Sequence, residues 1–501
     1  MTSLIFAWLI FPLAAAFLAA LLNNLGRLLA TLTPLLTLVL ASWLSLNSSA
    51  LPLTLMSSPG VALNLTTSQL GFLILNGLVS TAVALQVGSK PRHKLSWVLM
   101  LILHGALNSV YVAADLMSIY VAIELVAVSA FLLIIDVERR ETLWIAFRYL
   151  ILGDLAMILY DFGALIAYQA NGDFALESQT ELSSVATSLL VVGLLFKTGA
   201  FLTGFWLPMT HANAPTEVSA LLSSLVVTAG AAPLSRISEQ SGEAAILLAV
   251  FGSISLALGV IGAMVQTDIK RLLAWSTISQ MGYVLLTPAT ASLYALAHGV
   301  GKAALFLQTG QLQSREIKTL QQSWINLRLG IPLLVATFSL IGVPGSIGYT
   351  AKSCLTGVID SDFKTIISWS GLGTAIVFAR LLPDRWYQPS NSIYSAKKDI
   401  DDLIQWPKII NNAGTWLLII GILSLPIFIG RETDLRWPNW DLESVLMSLL
   451  IVSMGITIER FIRRPLSQWQ PPNLERFVDV IAALGITLLL SQVVLWQITL
   501  Q

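Results

Sequence analysis

Apolar runs of roughly 17–25 residues, each long enough to cross about 30 Å of hydrocarbon as a helix, recur along the whole sequence. They lie near 4–22, 28–46, 71–87, 96–114, 116–136, 145–168, 185–207, 216–236, 243–266, 271–287, 291–308, 329–350, 353–381, 409–430, 443–460 and 476–497. Lipid satisfies no backbone hydrogen bond, so runs of this kind assemble as helices. Only 11% of the 501 residues are charged, against about 25% in soluble globular proteins. The expected fold class is all-α: a polytopic membrane protein in which some runs are broken or paired, leaving about fourteen crossings. No connection is long enough to bury a separate soluble core.

The first run follows Met1 with no basic segment and no small-residue cleavage site, so it reads as a retained helix. Cys354 is the only cysteine, which excludes disulfides within the chain, thiolate-ligated iron–sulfur clusters and Cys-based zinc sites. The Gly371–Gly373 stretch, SGLGTAIVF, lacks a third glycine and follows no strand, so it offers no dinucleotide site. No cofactor or metal site is expected in this chain. The formal net charge is zero, and nothing suggests a nucleic-acid partner.

Loop charges give an orientation. Arg27 separates the first two runs, and the 47–70 connection has no Lys or Arg. Lys90, Arg92 and Lys94 follow at 88–95, none at the Asp115 turn, then Arg139 and Arg140. The 169–184 connection carries only Asp173, Glu177 and Glu181. By the positive-inside rule this alternation places the N-terminus outside. Lys270, Arg271 and the basic 460–464 cluster then read as cytoplasmic.

The ionisable residues inside the runs carry the functional argument, because each costs about 2.5–3.5 kcal/mol at bilayer depth on the gentlest scale. Glu124 and Lys197 are flanked by apolar residues for more than two turns. His298 and Lys302 lie four apart and share a helix face. Asp154 and Asp161, seven apart, share another. Lys352 follows GVPGSIGYTAK near the start of a run. Plainer readings exist: Lys352 as a snorkelling helix-end lysine, His298 as a hydrogen-bonded core histidine, Asp161 as an interfacial or helix-contact residue. Glu124 and Lys197 are harder to reduce in this way. Burial disfavours an ammonium, a carboxylate within about 4–6 Å restores it, and such a pair has two states of similar energy.

Gly199 and Gly204 weaken the helix after Lys197, and Pro208 is expected to end it. Pro344, Gly345 and Gly348 interrupt the run just before Lys352. Interrupted helices in corresponding places of two halves point to the ion pathway of an inverted-repeat transporter.

These residues resemble the antiporter-type subunits shared by respiratory complex I, photosynthetic type I NAD(P)H dehydrogenases and Mrp-type cation/proton antiporters. The resemblance covers roughly 100–355. It rests on Lys197 followed by WLPMTHANAP (Trp206, Pro208, His211, Pro215), on Glu124 with Asp115 nine residues earlier, on DIKRLLAWSTISQMG at 268–282, on HGVGKAALF at 298–306, and on GVPGSIGYTAK ending at Lys352. It implies N-terminal helices at 1–95, two inverted five-helix repeats at 96–236 and 243–381, and C-terminal helices at 382–501. It further implies a hydrated axis in which Glu124 and Lys197 switch, His298 and Lys302 lie along the way, and Lys352 is the exit-side terminal lysine. Asp115, Asp154, His211, Thr228 and Gln280 are supporting positions.

The departures are specific. Thr228 stands where the family's central lysine is expected, Gly204 and Gln280 where it has histidines, Leu202 where it has proline, and Met209 where it has an acid before His211. Two functions follow. One is a proton- or cation/proton-translocating subunit of a multisubunit complex, with membrane subunits as partners, H⁺ alone or against Na⁺ or K⁺ as the ion, and any NAD(P)H–quinone redox chemistry in other chains. The other is a structural or assembly subunit that keeps the fold without conducting. The host membrane is a bacterial plasma membrane or a thylakoid.

Overall fold

A computed structural model of the chain describes residues 2–22, 24–47, 51–54, 61–87, 94–179, 182–359, 361–386, 412–429, 442–468 and 474–499. Lys90, Arg92 and Glu181, used above for orientation, and stretches of the 382–501 segment lie outside them. The described residues are almost wholly helical, as the apolar runs require. The order begins α1 (Thr2–Leu21), α2 (Gly26–Asn47), α3 (Leu70–Val87), α4 (Lys94–Val112), α5 (Leu116–Ile134) and α6 (Glu141–Asn171). It continues α7 (Ser184–Thr198), α8 (Leu207–Asn213), α9 (Thr216–Leu221), a π-turn (Leu222–Val226), α10 (Thr228–Gln240), α11 (Gly242–Met264), α12 (Ile269–Leu286) and α13 (Ala291–Thr309). It ends α14 (Ile317–Gln322), α15 (Leu327–Ile341), α16 (Ile347–Val358), α17 (Ser361–Ala379), α18 (Ala413–Ile429), α19 (Leu442–Gln468) and α20 (Phe477–Thr499).

Among the described residues, eleven helices are long and apolar enough to cross a membrane, or twelve if α12 and α13, bent by 113° at Pro288, count as one span. Shorter apolar helices add to these at 327–341, 369–379 and 413–427. The 47–70 connection is not bare loop: Leu51–Thr54 pairs antiparallel with Ala62–Leu65.

Side-chain caps begin most central helices, each satisfying an amide that lipid would leave bare. Asp115 caps α5 through Ser118, Ser183 caps α7, Ser241 caps α11, Asp268 caps α12 through Arg271, Asn326 caps α15 and Ser346 caps α16. Two arginines close helix C-termini in parallel fashion. Arg236 of α10 donates to Val110 O at 3.2 Å and to Ala113 O, at the end of α4. Arg380, just past α17, donates to Ala263 O at 3.0 Å, Gln266 O at 2.7 Å and Met264 O, at the end of α11.

The structure revises two expectations. The run at 185–207 is not one helix that Pro208 terminates. It breaks at Gly199, and Pro208 sits in the first turn of α8, where a missing N–H costs nothing. The runs at 329–350 and 353–381 are redivided, because the break falls at Gly342–Ser346 and Lys352 lies mid-way along the short α16. Lys270, read as cytoplasmic, is 2% exposed in the first turn of α12, its ammonium bonded to Ala214 O at 2.8 Å and Ser219 Oγ at 3.1 Å.

Residues 293–309 of α13 are all buried, with α3, α12, α15, α16 and α18 around them. The backbones of α11 and α12 approach closely at two glycines. A Cβ on Gly259 would lie 2.2 Å from Ser279 N, and one on Gly282 2.6 Å from Gly252 O. Small residues let helices meet this closely in lipid, where packing replaces the hydrophobic driving force. Gly259→Val is expected to push α11 from α12 and destabilise the fold by about 1–3 kcal/mol, the usual cost of overpacking. Gly371→Ala, where a Cβ meets nothing within 4 Å, is expected to leave stability unchanged or slightly raised. Thermal unfolding of the two variants in detergent checks both.

Candidate functional site

Lys197 occupies the last turn of α7 and is 5% exposed. Its place follows from how α7 ends. Gly199 takes the left-handed conformation at φ 67°, and Phe201, a non-glycine residue, also has positive φ at 52°. Phe201 N–H donates to Ser255 Oγ at 2.7 Å, and Trp206 Nε1–H recovers the Phe196 carbonyl at 3.0 Å. The strained turn is thus over-determined by its neighbours.

The ammonium of Lys197 lies 3.6 Å from Glu124 Oε1 on α5, an ion pair longer than a good hydrogen bond. It rests over Gly153 of α6, where a Cβ would be 3.0 Å from Nζ. Asp154 and Tyr149, also on α6, share this neighbourhood. Lys197 Nζ, Glu124 Oε1, Asp154 Oδ1 and Tyr149 Oη are all buried with no hydrogen-bond partner among the described residues. Buried polar groups ordinarily find a partner in protein or ordered water. With one amine and two carboxylates, the cluster has more places for a proton than one ion pair needs. Asp161, two turns along α6, is half-buried and within electrostatic reach of Tyr120.

Asp115 stands apart from this cluster. Its carboxylate accepts from Ser118 N at 2.7 Å and Ala62 N at 2.9 Å, which makes it a helix cap and a tie to the hairpin.

The other two lysines sit in a second group. Lys302 of α13 is wholly buried and donates to Leu273 O at 2.6 Å and to Ser276 Oγ, both on α12. Lys352 donates to Leu340 O at 3.0 Å and Ile341 O at 2.7 Å, capping the broken end of α15. It also lies 5.8 Å from the centre of the Tyr283 ring. Between them runs one face of α12, with Ser276, Gln280 and Tyr283 at the spacing i, i+4, i+7. Gln280 accepts from Tyr294 Oη at 2.9 Å and donates to Thr374 at 3.4 Å, and Tyr283 Oη bonds Ser370 Oγ at 2.6 Å. Ser276, Tyr283, Tyr294, Ser370 and Thr374 escape a reading that looks for charge; the polar helical spacing on α12 was the available signal.

His298, His211 and Thr228 are also buried in the core. His298, 1% exposed, packs beside the π-turn, and neither ring nitrogen has a partner of good geometry among the described residues. A π-turn inside a helix often marks a functional position. His211 bonds Leu207 O through Nδ1 at 2.8 Å, while Nε2 has no partner among the described residues. Thr228 opens α10, its hydroxyl 2.7 Å from Tyr111 Oη and donating to Leu225 O at 2.6 Å. The expected central lysine position therefore holds a neutral group engaged on both sides.

A further buried network was not anticipated. His104 of α4 is bonded to Thr37 at 2.9 Å and Ser80 at 3.3 Å, and its carbonyl accepts from Asn76 at 3.0 Å. Asn108 joins Asn76 at 2.8 Å. Uncharged residues of this kind blend into apolar runs. No group of three or more His, Cys, Asp or Glu side chains that could hold a metal occurs among the described residues.

Comparison with known proteins places this geometry. The family described as NADH:quinone oxidoreductase/Mrp antiporter, TM, matches residues 113–377, which takes in Glu124, Lys197, His298, Lys302 and Lys352. NADH-quinone oxidoreductase subunit N 2 of Aquifex aeolicus is 30% identical over 243 residues, 43% of this chain and 50% of that protein. A Na(+)/H(+) antiporter subunit of Alkalihalophilus pseudofirmus is 27% identical over 307 residues, 56% of this chain and 62% of that one. The chain spans about half the length of the first relatives it matches. In fold, a chain of the Mrp complex from Dietzia sp. aligns with TM-score 0.71 at 18% identity, covering 92% of this chain and 99% of its own. With more than half of its length in the family match, this multi-pass membrane chain belongs to the antiporter-like subunits of the NADH:quinone oxidoreductase/Mrp antiporter family.

Proposed function

We propose that the chain is an ion-translocating membrane subunit of a multisubunit complex of the complex I or Mrp kind, and that its working pathway begins at Lys197 and Glu124. One observation carries this reading: an almost wholly buried ammonium 3.6 Å from a carboxylate, at a helix break. An intramembrane charge pair with unsatisfied atoms is expensive unless it is used. Protons pass from the Glu124–Asp154–Lys197 cluster, by His298 and Lys302, along the Ser276–Gln280–Tyr283 face of α12 to Lys352. The ion is H⁺, alone or in exchange for Na⁺ or K⁺. Redox chemistry, where the complex has any, belongs to other subunits.

The parallel features at α4–α5 and α11–α12 support two repeats, at 96–236 and 243–381, between N-terminal helices at 1–95 and C-terminal helices at 382–501. Each pair has an aspartate N-cap at the turn, Asp115 or Asp268. In each, an arginine from the last helix of the repeat closes the first helix, Arg236 or Arg380. The orientation with the N-terminus outside is supported by basic residues gathered at one end of the bundle. There Arg139 reaches Asn213, Lys270 reaches Ala214, Arg315 pairs Asp268 and Arg463 pairs Asp384. The membrane is a bacterial plasma membrane or a thylakoid.

A second reading, a non-conducting structural subunit, is favoured by Gly204, Gln280 and above all Thr228, whose hydroxyl is bonded to Tyr111 and the π-turn where a titratable base is expected.

In the assembled complex reconstituted in vesicles, Glu124→Gln and Lys197→Ala are each expected to lower ion flux by about a hundredfold or more, the scale of a lost proton-transfer group. Flux at the wild-type rate from assembled variants would refute the relay. Gly153→Ala keeps every ionisable group but sets a methyl 3.0 Å from Lys197 Nζ. It is expected to lower flux about three- to tenfold through misplacement of the ammonium, with assembly unchanged. Thr228→Lys is expected to change flux or ion preference; unchanged behaviour favours the structural reading.

A further inference from the structure

The sixth helix carries a second buried charge that the relay does not use. Arg148 lies two turns into α6 and is 5% exposed. Its Nη1 contacts Met209 Sδ at 2.6 Å, a weak acceptor for a guanidinium. Its Nε and Nη2 are buried with no hydrogen-bond partner among the described residues. A guanidinium is always charged and presents a planar fork of donors shaped for an oxyanion.

Arg148 lines a cavity of about 460 Å³ with Trp144, Asn213, Arg271, Glu475 and Arg476. Glu475 is engaged by Arg271, which also donates to Gln266 Oε1 at 3.1 Å. Glu475 and Asp479 both lie within electrostatic reach of Arg148. Three arginines thus stand against two acids, one of them already paired, and Arg148 keeps two buried donors with no partner among the described residues. The cavity opens at the bundle end where the basic residues gather, and its flanks are apolar and exposed. Trp144, Phe147 and Ile151 continue along the same side of α6, and Val478 follows Arg476 on α20. A phosphate held there has hydrocarbon surface beside it for acyl chains, in the manner of basic pockets between membrane helices.

We propose that this cavity between α6, α8, α12 and α20 binds a phosphate group, that of an anionic phospholipid of the cytoplasmic leaflet, with Arg148 as the anchoring donor and Arg476 as the outer one. The site needs no ion flux and is independent of the relay reading.

The test uses the full chain in its assembled complex, delipidated and returned to nanodiscs. Binding of phosphatidylglycerol is measured by native mass spectrometry and by thermal stabilisation, with phosphatidylcholine and inorganic phosphate as separate arms. Phosphatidylglycerol is expected to bind and stabilise more than phosphatidylcholine. Arg148→Gln is expected to weaken that binding about tenfold or more, the effect of losing a charge-assisted contact. Should that variant fail to assemble, Met209→Glu tests the same point, since it supplies Arg148 with an internal carboxylate and is expected to expel the phosphate. Stabilisation by inorganic phosphate alone, equal to that by the lipid, would overturn the lipid assignment. Wild-type lipid binding in Met209→Glu would overturn the site.

Discussion

Keeping an ammonium charged inside a low-dielectric bundle is the constraint around which this structure is arranged. Desolvation alone would cost Lys197 several kcal/mol, and the fold offsets it with three separate devices. Glu124 supplies the counter-charge across a helix interface. The end of α7 at Gly199 brings helix-terminal carbonyls close to the same place, favourable for a cation. Gly153 leaves room above the ammonium, so that the lysine need not distort its own helix. None of the devices bonds the lysine tightly. A tight bond would stabilise one protonation state at the expense of the other and leave nothing to exchange.

Lys197, Lys302 and Lys352 are held in two different ways, and the difference bears on what each can do. Lys197 has carboxylates within reach and can trade a proton with them. Lys302 and Lys352 are held by backbone carbonyls and a hydroxyl, neutral acceptors that stabilise a charge without competing for its proton. The first cluster can therefore store a proton in more than one arrangement, while the second group can hold and hand one on. The hydroxyls and amide along α12 suit that second role, because each both donates and accepts. Lys352 gains its carbonyls from the break at Gly342, where φ is 97°. Both helix breaks thus serve charge placement, one by ending a helix just past its own lysine, the other by exposing carbonyls to a lysine of the next helix.

Much of this was legible in the sequence, for physical reasons. A charge in an apolar run is rare and expensive, so Glu124, Lys197, Lys302 and Lys352 announce themselves. Glycine and proline mark broken helices, although Pro208 shows that the same residue begins a helix as readily as it ends one. Neutral polar groups gave no such signal. Ser276, Tyr283 and the network around His104 occur within segments whose mean composition is membrane-like, and only their spatial convergence distinguishes them. Gly153 was illegible for another reason: its contribution is the absence of a side chain opposite a residue forty-four positions away. The burial of Lys270 was not legible, because it depends on the short α8–α9 turn presenting the Ala214 carbonyl to it.

Thr228 is where the conducting and structural readings meet, and its surroundings weigh on the choice. Thr228 is polar and tied to Tyr111, whose ring stacks on Phe72. The same segment holds a π-turn, with Ser223 bonded to Thr277 at 2.7 Å and His298 alongside. π-turns are uncommon and carry a backbone cost that a purely structural helix has no reason to keep. A hydroxyl cannot hold a proton charge, yet it can orient water between groups that do. The combination of a neutral but hydrogen-bonding residue, an irregular helix and a histidine with unmet donors describes a water-bridged gap more naturally than a sealed one. On the conducting reading, the loss of the central base would alter the route between the two lysine groups without removing it.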